Sequence, residues 1–363
     1  MVGYNKISKE GVKRVILVLL GDPRKPDAVK PLSVFDDDDF YEREQLKANL
    51  NELKEYEFIY LDNHDTMIQD IMRLKDKIDF VLNLCDEGFN NDAKKESHIP
   101  ALLEILSLPY TGSGPQCLTS CYDKSIVKGI ASSMNIPIPK TFIVNFGDIV
   151  AELPFNFPVF VKPNFGDGGF GIIRKSFVKN IKELNDTISE IKDKFGYSKQ
   201  ILVEEFLPGK DLIVGIVGER DNYNVLPIIE EDYSSLPKRL PKISGYEAKW
   251  IQGSPYWPVN PIQANISDDA KNFIIEKSIK LFERLECRDY CKLDWRLDAE
   301  GNPKLLEVNP NPGWGFNDHL QRMAKILNYS YSQMLGMILQ TAENRLFLKS
   351  KVSHKKKEAL AKV

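Results

Sequence analysis

The stretch CKLDWRLDAEGNPKLLEVNPNPG, residues 291–313, is the most informative part of the sequence. Two partly apolar runs flank the turn residues Asp298–Asn302, a pattern that predicts a β-hairpin. Asp294 falls on one arm, and Glu307 and Asn309 fall on one face of the other because side chains alternate along a strand. Such oxygen donors suit Mg²⁺ and would offset the cost of carboxylates among leucines. A salt-bridged hairpin facing solvent is the alternative.

A second informative segment, KPNFGDGGFG at residues 162–171, follows an apolar run that predicts a strand. Glycines let backbone N–H groups approach phosphate oxygens, and a lysine adds positive charge. The segment does not fit a dinucleotide-binding loop, because the following residues 170–177 predict a strand instead of a helix. It also lacks the closing Lys-Ser/Thr of a Walker loop. A phosphate loop and an ordinary hairpin turn both fit Gly166, Gly168, Gly169 and Gly171.

The segment ILVEEFLPGKDLIV, residues 201–214, ends an apolar strand in two acids. Its edge offers backbone donors and acceptors to a base, and Asp211 offers a carboxylate to ribose hydroxyls. The alternative is that Glu204 and Glu205 are an exposed acidic pair.

Composition bounds the protein class. With 363 residues, the chain predicts two or three domains at ~150 residues each. A formal charge of −3 argues against a dedicated nucleic-acid binder, and no apolar run approaches the ~20 residues of a membrane span. Five cysteines are not typical of a disulfide framework, and the first residues lack a signal-peptide core. We expect a soluble, cytoplasmic protein without membrane or nucleic-acid partners.

The chain begins with alternating strands and helices, which indicates an open α/β domain. Apolar runs at 14–20, 57–62 and 79–86 predict its strands, and 40–55 and 64–77 predict helices. After residue 114 the pattern predicts mixed α+β structure, with helices at 116–134, 180–195, 268–286 and within 317–345. The basic end of the chain predicts a frayed tail.

The order of these motifs resembles the ATP-grasp superfamily and, more narrowly, the D-alanine–D-alanine ligase family across roughly residues 12–345. The segments that carry the resemblance are PALLEILSLPYTGSG, YDKSIVK, FPVFVKPNFGDGGFGI, VEEFLPGKDL, YEAKW and the hairpin. The resemblance implies an α/β fold of three-domain ATP-grasp architecture. Its parts would be an N-terminal open α/β (pre-ATP-grasp) substrate domain at 1–114, a central subdomain with the phosphate loop at 115–200, a C-terminal subdomain with the metal site at 201–345, and a basic tail at 346–363.

The resemblance also implies the cofactors ATP and Mg²⁺, with two ions and Mn²⁺ as a substitute. Its ATP positions are Lys124, Lys162 and Lys249 at the phosphates, Gly168 and Gly169 in the covering loop, Glu204, Glu205 and Leu207 along the adenine, Asp211 at the ribose, and Leu306 under the base. Its metal positions are Asp294, Glu307 and Asn309, the same three donors that the hairpin pattern indicates.

The implied reaction joins a carboxylate to an amine. The carboxylate attacks the γ-phosphate and gives an acylphosphate and ADP, and an amine then attacks the acyl carbon. Lys249 would assist at the phosphate. Lys292 stands where the family has an arginine, which keeps the charge but loses the planar fork. The backbone N–H of Gly313 would help to stabilise the oxyanion.

Several substrate-side positions depart from the family pattern. No glutamate follows the first strand in GDPRKP, residues 21–26. Gly168 replaces a serine, Trp250 a tyrosine and Asp318 another serine. A carboxylate at Asp318 would repel a free amino-acid carboxylate and suits an amine or guanidinium better. We therefore expect a ligase for amino-acid-like substrates other than two D-alanines.

The substrate-side candidates each have a simpler alternative. For Glu87, Glu96 and Asp318 it is ordinary surface charge. For His98 it is the start of a helix, and for Trp250 and Trp314 it is core packing. Lys292 could equally be an ion-pair partner of Asp294 or Glu307.

Other functions stay open. The chain could be a genuine D-alanine–D-alanine or D-alanine–D-lactate ligase, or a nucleotide-binding protein that has lost ligation through Lys292. Its partners would be a small carboxylate and a small amine, and family members are commonly homodimers. The pairs Cys117/Cys121 and Cys287/Cys291 suggest zinc only weakly, because one pair falls on a predicted helix and the other at a strand entrance. The acidic run at 36–39 fits a loop or a helix start.

Overall fold

The computed structural model describes residues 13–166, 168–220 and 222–360, with side chains described through residue 347. Its described strands form sheets of three, four and six strands that follow one another along the chain. None of the described helices is both long and apolar enough to cross a membrane.

The first sheet is parallel, with the order β2-β1-β3. Helices cover both of its faces, which explains why its central strand is almost continuously apolar. The run at 36–39 begins a helix, because Asp36 caps it and forms a capping box with Asp39. The elements are β1 (Arg14–Leu19), α1 (Asp37–Leu50), β2 (Tyr56–Leu61), α2 (Met67–Leu74), β3 (Phe80–Asn83) and α3 (His98–Ile105).

The second sheet is antiparallel, with the order β4-β7-β5-β6. Two expectations fail here. The single helix predicted at 116–134 is two helices, because Asp123 is extended and its side chain caps the second one. The strand predicted after the glycines is only two residues long and follows a 3₁₀ turn. The elements are α4 (Pro115–Tyr122), α5 (Lys124–Ser133), β4 (Thr141–Val144), β5 (Val159–Pro163), β6 (Phe177–Val178), α6 (Ile181–Phe195) and β7 (Ile201–Glu205).

The third sheet has the order β11-β10-β8-β12-β13, with β9 paired to β8. The predicted hairpin is confirmed as β12 and β13. The elements are β8 (Asp211–Glu219), β9 (Asn222–Val225), β10 (Ile229–Asp232), α7 (Tyr246–Trp250), β11 (Asn260–Gln263), α8 (Asp268–Arg284), β12 (Asp289–Leu297), β13 (Pro303–Asn309), α9 (His319–Ile326) and α10 (Tyr331–Leu360).

Helix α10 returns to the first sheet. Its residues Met334, Leu335 and Ile338 share one core with Ile16 and Phe80. Two ion pairs add to this packing, Arg345 with Asp289 at 2.7 Å and Arg14 with Glu343 at 2.8 Å. The backbone of the segment predicted as a frayed tail is helical to Leu360, and residues 361–363 lie outside the described residues.

Candidate active site

A cleft of about 1020 Å³ lies between the four-stranded and six-stranded sheets. It brings together residues that are spread over nearly two hundred positions of the sequence. Twelve of the candidate site residues line it, namely Lys124, Lys162, Gly169, Glu204, Glu205, Leu207, Asp211, Lys249, Lys292, Asp294, Leu306 and Glu307. Outside this lining lie Gly168, Asn309, Gly313 and the substrate candidates Glu87, Glu96, His98, Trp250, Trp314 and Asp318.

The glycine segment forms a loop over one end of the cleft. Gly166, Gly168, Gly169 and Gly171 all have positive φ, between 61° and 110°, which other residues rarely adopt. The Trp250 indole Nε1–H donates to the carbonyl of Gly168 at 3.0 Å and fastens the loop to α7. The Lys124 ammonium donates to the carbonyl of Gly166 from below. The loop is therefore held from both sides, and Trp250 is not a core residue.

Glu204 is not an exposed acid, contrary to the simpler alternative. Its carboxylate is 2% exposed and lies 2.9 Å from the Lys128 ammonium and 3.1 Å from the Lys162 ammonium. Burial would raise the pKa of Glu204, but the two lysines outweigh it and lower that pKa. Burial lowers the pKa of Lys128 to about 8. The sequence analysis missed Lys128, although it lies one helical turn after Lys124 and therefore on the same helix face.

Arg296 organises the opposite end of the cleft. Its guanidinium lies 2.8 Å from both oxygens of Asp211 and donates to the carbonyl of Leu207 at 2.6 Å. The Tyr233 hydroxyl also donates to Asp211. The carboxylate predicted to hold a ribose is thus already fixed by two side chains that the sequence analysis did not find.

The hairpin places two carboxylates face to face. Asp294 and Glu307 are paired directly across β12 and β13. The Lys292 ammonium lies 2.9 Å from Asp294 Oδ2, so its ion-pair alternative is present in the structure. Burial would raise the pKa of Glu307, but Lys124 and Lys292 lead the lysines that lower it to about 2. Glu307 is therefore held as a carboxylate.

These residues fit a divalent cation. The buried oxygen Oδ1 of Asp294 has no hydrogen-bond partner among the described residues. With Glu307 and the amide oxygen of Asn309, it offers the oxygen donors that Mg²⁺ prefers. Asn309 completes the set on the same strand face as Glu307, although its oxygen also accepts from the N–H of Asn311 at 3.0 Å. No group of three or more His, Cys, Asp or Glu side chains within the described ranges is arranged around a metal position.

The substrate candidates lie where the first sheet meets the chain after β13. The Glu87 carboxylate packs on Gly21, so closely that a Cβ there would lie 2.5 Å from it. Glu96 accepts from the Asn311 amide at 2.8 Å, and Asp318 accepts from the Gly315 N–H at 2.6 Å. An acid from the segment after β3 therefore lies beside the end of β1, where the sequence itself supplies no glutamate.

Two further acids lie near these candidates. Burial, reinforced first by Asp318 and then by Asp39, raises the pKa of Glu42 to about 7. Burial, then Glu87 and Glu96, raise the pKa of Asp86 well above its usual range. This side of the molecule therefore brings several acids together, of which Asp39 pairs with the Lys30 ammonium at 2.5 Å. Of the other candidates, His98 begins α3, and Trp314 is buried against Tyr290.

Known proteins resemble this chain in sequence and in fold. The family model described as D-ala D-ala ligase C-terminus matches residues 145–340. An uncharacterised protein of Sinorhizobium fredii is 31% identical over 267 residues, which cover 74% of this chain and 75% of that protein. D-alanine–D-alanine ligase B of Clostridium perfringens is 27% identical over 286 residues, 76% of this chain and 84% of the relative.

Among solved structures, a Bacillus anthracis D-alanine–D-alanine ligase complexed with ATP has the same fold. It superposes with a TM-score of 0.66 at 21% identity, covering 91% of this chain and 97% of that one. The α/β ATP-grasp fold and the family resemblance expected from the motif order are confirmed.

Proposed function

Because the chain belongs to the D-alanine–D-alanine ligase family of ATP-grasp enzymes, we propose that it is an ATP- and Mg²⁺-dependent carboxylate–amine ligase. Its product would be an amide or peptide bond, formed through an acylphosphate. The observation that carries this proposal is the convergence of Lys124, Lys162 and Lys292 on the facing pair Asp294 and Glu307 in one cleft.

The residues at the phosphate end of the cleft support binding of a nucleoside triphosphate. Lys124, Lys162 and Lys249 would neutralise its phosphates, and Gly168 and Gly169 would turn backbone N–H groups towards them. Asp294, Glu307 and Asn309 would hold Mg²⁺, which offsets charge on the transferring phosphoryl group when bound. The Lys128–Glu204–Lys162 contacts would keep the Lys162 ammonium in position before the nucleotide arrives.

The second half-reaction needs donors for a tetrahedral oxyanion. Lys292 supplies a buried cation, and Gly313 supplies a backbone N–H on the following loop. The Lys292 ammonium now lies 2.9 Å from Asp294. To stabilise the oxyanion, it would have to contact the substrate as well as Asp294. The Lys292–Asp294 ion pair also favours a second candidate function, nucleotide binding without ligation.

The substrate pair is proposed to differ from two D-alanines. Asp318 and Glu87 place carboxylates where substrate would meet the first sheet, and burial beside other acids raises the pKa values of Glu42 and Asp86. Negative charge repels a substrate carboxylate and attracts an ammonium or guanidinium group. An amino-acid-like substrate carrying an additional cationic group fits this wall.

We also propose a cytoplasmic location, because all five cysteines are free thiols and free thiols suit a reducing compartment. The homodimer is a prediction from the family resemblance.

Substrate-dependent ADP formation tests the proposal. The full chain would be screened with ATP and Mg²⁺ against pairs of amino acids and amines, and the product of any active pair would be identified by mass. ADP and an amide product from a cationic pair are expected. Rapid ADP release with D-alanine alone would identify a genuine D-alanine–D-alanine ligase. Nucleotide binding without ADP formation from any pair would favour the binding-only function.

A further inference from the structure

Four of the five cysteines meet behind the hairpin, away from the cleft. Cys117 and Cys121 lie one turn apart on α4, and Cys287 and Cys291 lie at the entrance to β12. The Cys117 and Cys287 sulfurs are 3.7 Å apart although 170 residues separate them in the chain. All four side chains are buried in one hydrophobic core. The sequence analysis placed the two pairs on unrelated elements, and the fold joins them.

Contacts within the cluster favour the thiolate form of one of these cysteines. Hydrogen bonds from Cys121 and then Cys287, with a smaller effect of the Arg288 charge, hold the pKa of Cys117 well below its usual range. The same contacts raise the pKa of Cys121 and of Cys287. A thiolate attacks an oxidant, whereas a protonated thiol does not. The cluster therefore pairs an attacking sulfur with a neighbour that can resolve it.

We propose that Cys117 and Cys287 are a modification site that a small peroxide converts into a disulfide between α4 and the entrance of β12. Both residues are buried, with exposed fractions of 4% and 6%, so a small oxidant suits the site better than a bulky disulfide. Zinc is the other known use of four thiols, and it needs them around a common point. The absence of any such three-membered group in the described part of the chain favours the disulfide.

The oxidation balances with peroxide as the oxidant. The Cys117 thiolate attacks one peroxide oxygen, breaks the O–O bond, and leaves a sulfenic acid and hydroxide. Cys287 gives up its proton as it attacks that sulfur, forms the S–S bond and releases a second hydroxide. The two protons given up by the thiols convert both hydroxides to water. The two electrons lost by the sulfurs reduce the peroxide.

The bond would act on stability and leave the cleft unchanged. Helix α4 shares its core with α5, β8 and β12, so the link does not cross the cleft between the sheets. It closes a long loop of the unfolded chain, which limits the freedom gained on unfolding. We expect the melting temperature to rise by about 5 °C on oxidation.

Peptide mapping of the full chain tests this assignment. The reduced protein would be treated with hydrogen peroxide, and free thiols, non-reducing peptide masses and melting temperature would be measured before and after reductant. Loss of two thiols, a Cys117–Cys287 peptide and a reversible rise in melting temperature are expected. Cys117→Ser and Cys287→Ser should abolish all three, whereas Cys85→Ser, a buried thiol elsewhere, should leave them intact.

Several results would overturn the proposal. One is a bond that uses Cys121 or Cys291 in place of the assigned partners. Others are a sulfenic acid that never resolves and an oxidised protein with an unchanged melting temperature. Stoichiometric zinc in the purified chain, released only when the thiols are blocked, would assign the cluster to a metal. Mapping of the unsubstituted chain keeps the test valid even if a serine variant fails to fold.

Discussion

Carboxylates lie beside cations in the cleft that we propose binds the nucleotide (the nucleotide side). Around Glu42, Asp86 and Glu87, where we propose that substrate binds (the substrate side), they lie mainly beside other acids. On the nucleotide side, a lysine or arginine lies close to each of four acids of the cleft wall, namely Glu204, Asp211, Asp294 and Glu307. Glu204 lies between Lys128 and Lys162, and Asp211 accepts from Arg296. On the substrate side, Glu42 and Asp86 lie mainly near other acids.

The pKa values record this difference. Lysines lower the pKa of Glu307 to about 2, although it is buried, whereas burial beside Asp318 and Asp39 raises the pKa of Glu42 to about 7. A wall of paired charges is already organised for a fixed ligand such as ATP. A wall whose buried acids have raised pKa values gains most from a cationic ligand, because the cation favours their charged forms. The proposed nucleotide site and the proposed substrate site therefore lie in different charge environments.

The largest effect should come from the nucleotide side. Glu307→Gln removes one of the two facing carboxylates and keeps the shape of the side chain. We expect ADP formation to fall at least about a hundredfold, with the melting temperature little changed. Glu300→Gln, an exposed change in the turn of the same hairpin, is the matched control and should retain full activity. A Glu307→Gln protein with normal turnover would refute the metal assignment.

A smaller effect should come from the substrate side. Glu87→Gln removes a charge beside Gly21 without touching the cleft. We expect KM for the cationic substrate to rise about 10- to 100-fold, the usual cost of losing a charged contact, with the Kd for ATP unchanged. Glu52→Gln, exposed in the same part of the chain, should change neither constant. If Glu87→Gln weakened ATP binding instead, the separation of the two sides would be wrong.

The smallest effect should appear in stability against pH. Because the pKa of Glu42 is raised from 4.5 to about 7 by folding, the unfolded chain loses this proton first, and stability declines as pH rises through that interval. Glu42→Gln should remove that decline. With its partial exposure discounted, we expect the variant to be more stable at pH 8 by about 1–2 kcal/mol. Thermal melts at pH 4.5 and pH 8 measure this, and parallel curves for both proteins would contradict it.

Local pattern was enough to predict the hairpin and the carboxylates that face each other on it. The alternation of side chains in residues 303–309 fixes which of them share a face, and the turn at Asp298–Asn302 fixes the partner strand. The glycine loop and its lysine were predictable for the same reason. The hairpin and the glycine loop both depend on short-range geometry, which neighbouring residues determine.

The remaining site residues depend on contacts that no local pattern encodes. Arg296 reaches Asp211 across 85 positions, and Lys128 reaches Glu204 from a helix to a strand. Glu87 takes its place beside Gly21 only because β1 and β3 are neighbours in the parallel sheet. Sheet order is set by the packing of the whole chain, and therefore the substrate side was predicted least completely.

The return of α10 to the first sheet has a consequence for the order in which the protein is built. The strands of that sheet are complete by Asn83, but α10, which covers one of its faces together with α1, begins only at Tyr331. During synthesis the part of this apolar face that α10 covers therefore stays uncovered until the residues between Asn83 and Tyr331 have left the ribosome. The nascent chain exposes apolar surface during that interval. We therefore expect chaperone binding and aggregation in the cell to respond most to substitutions where α10 packs on the first sheet.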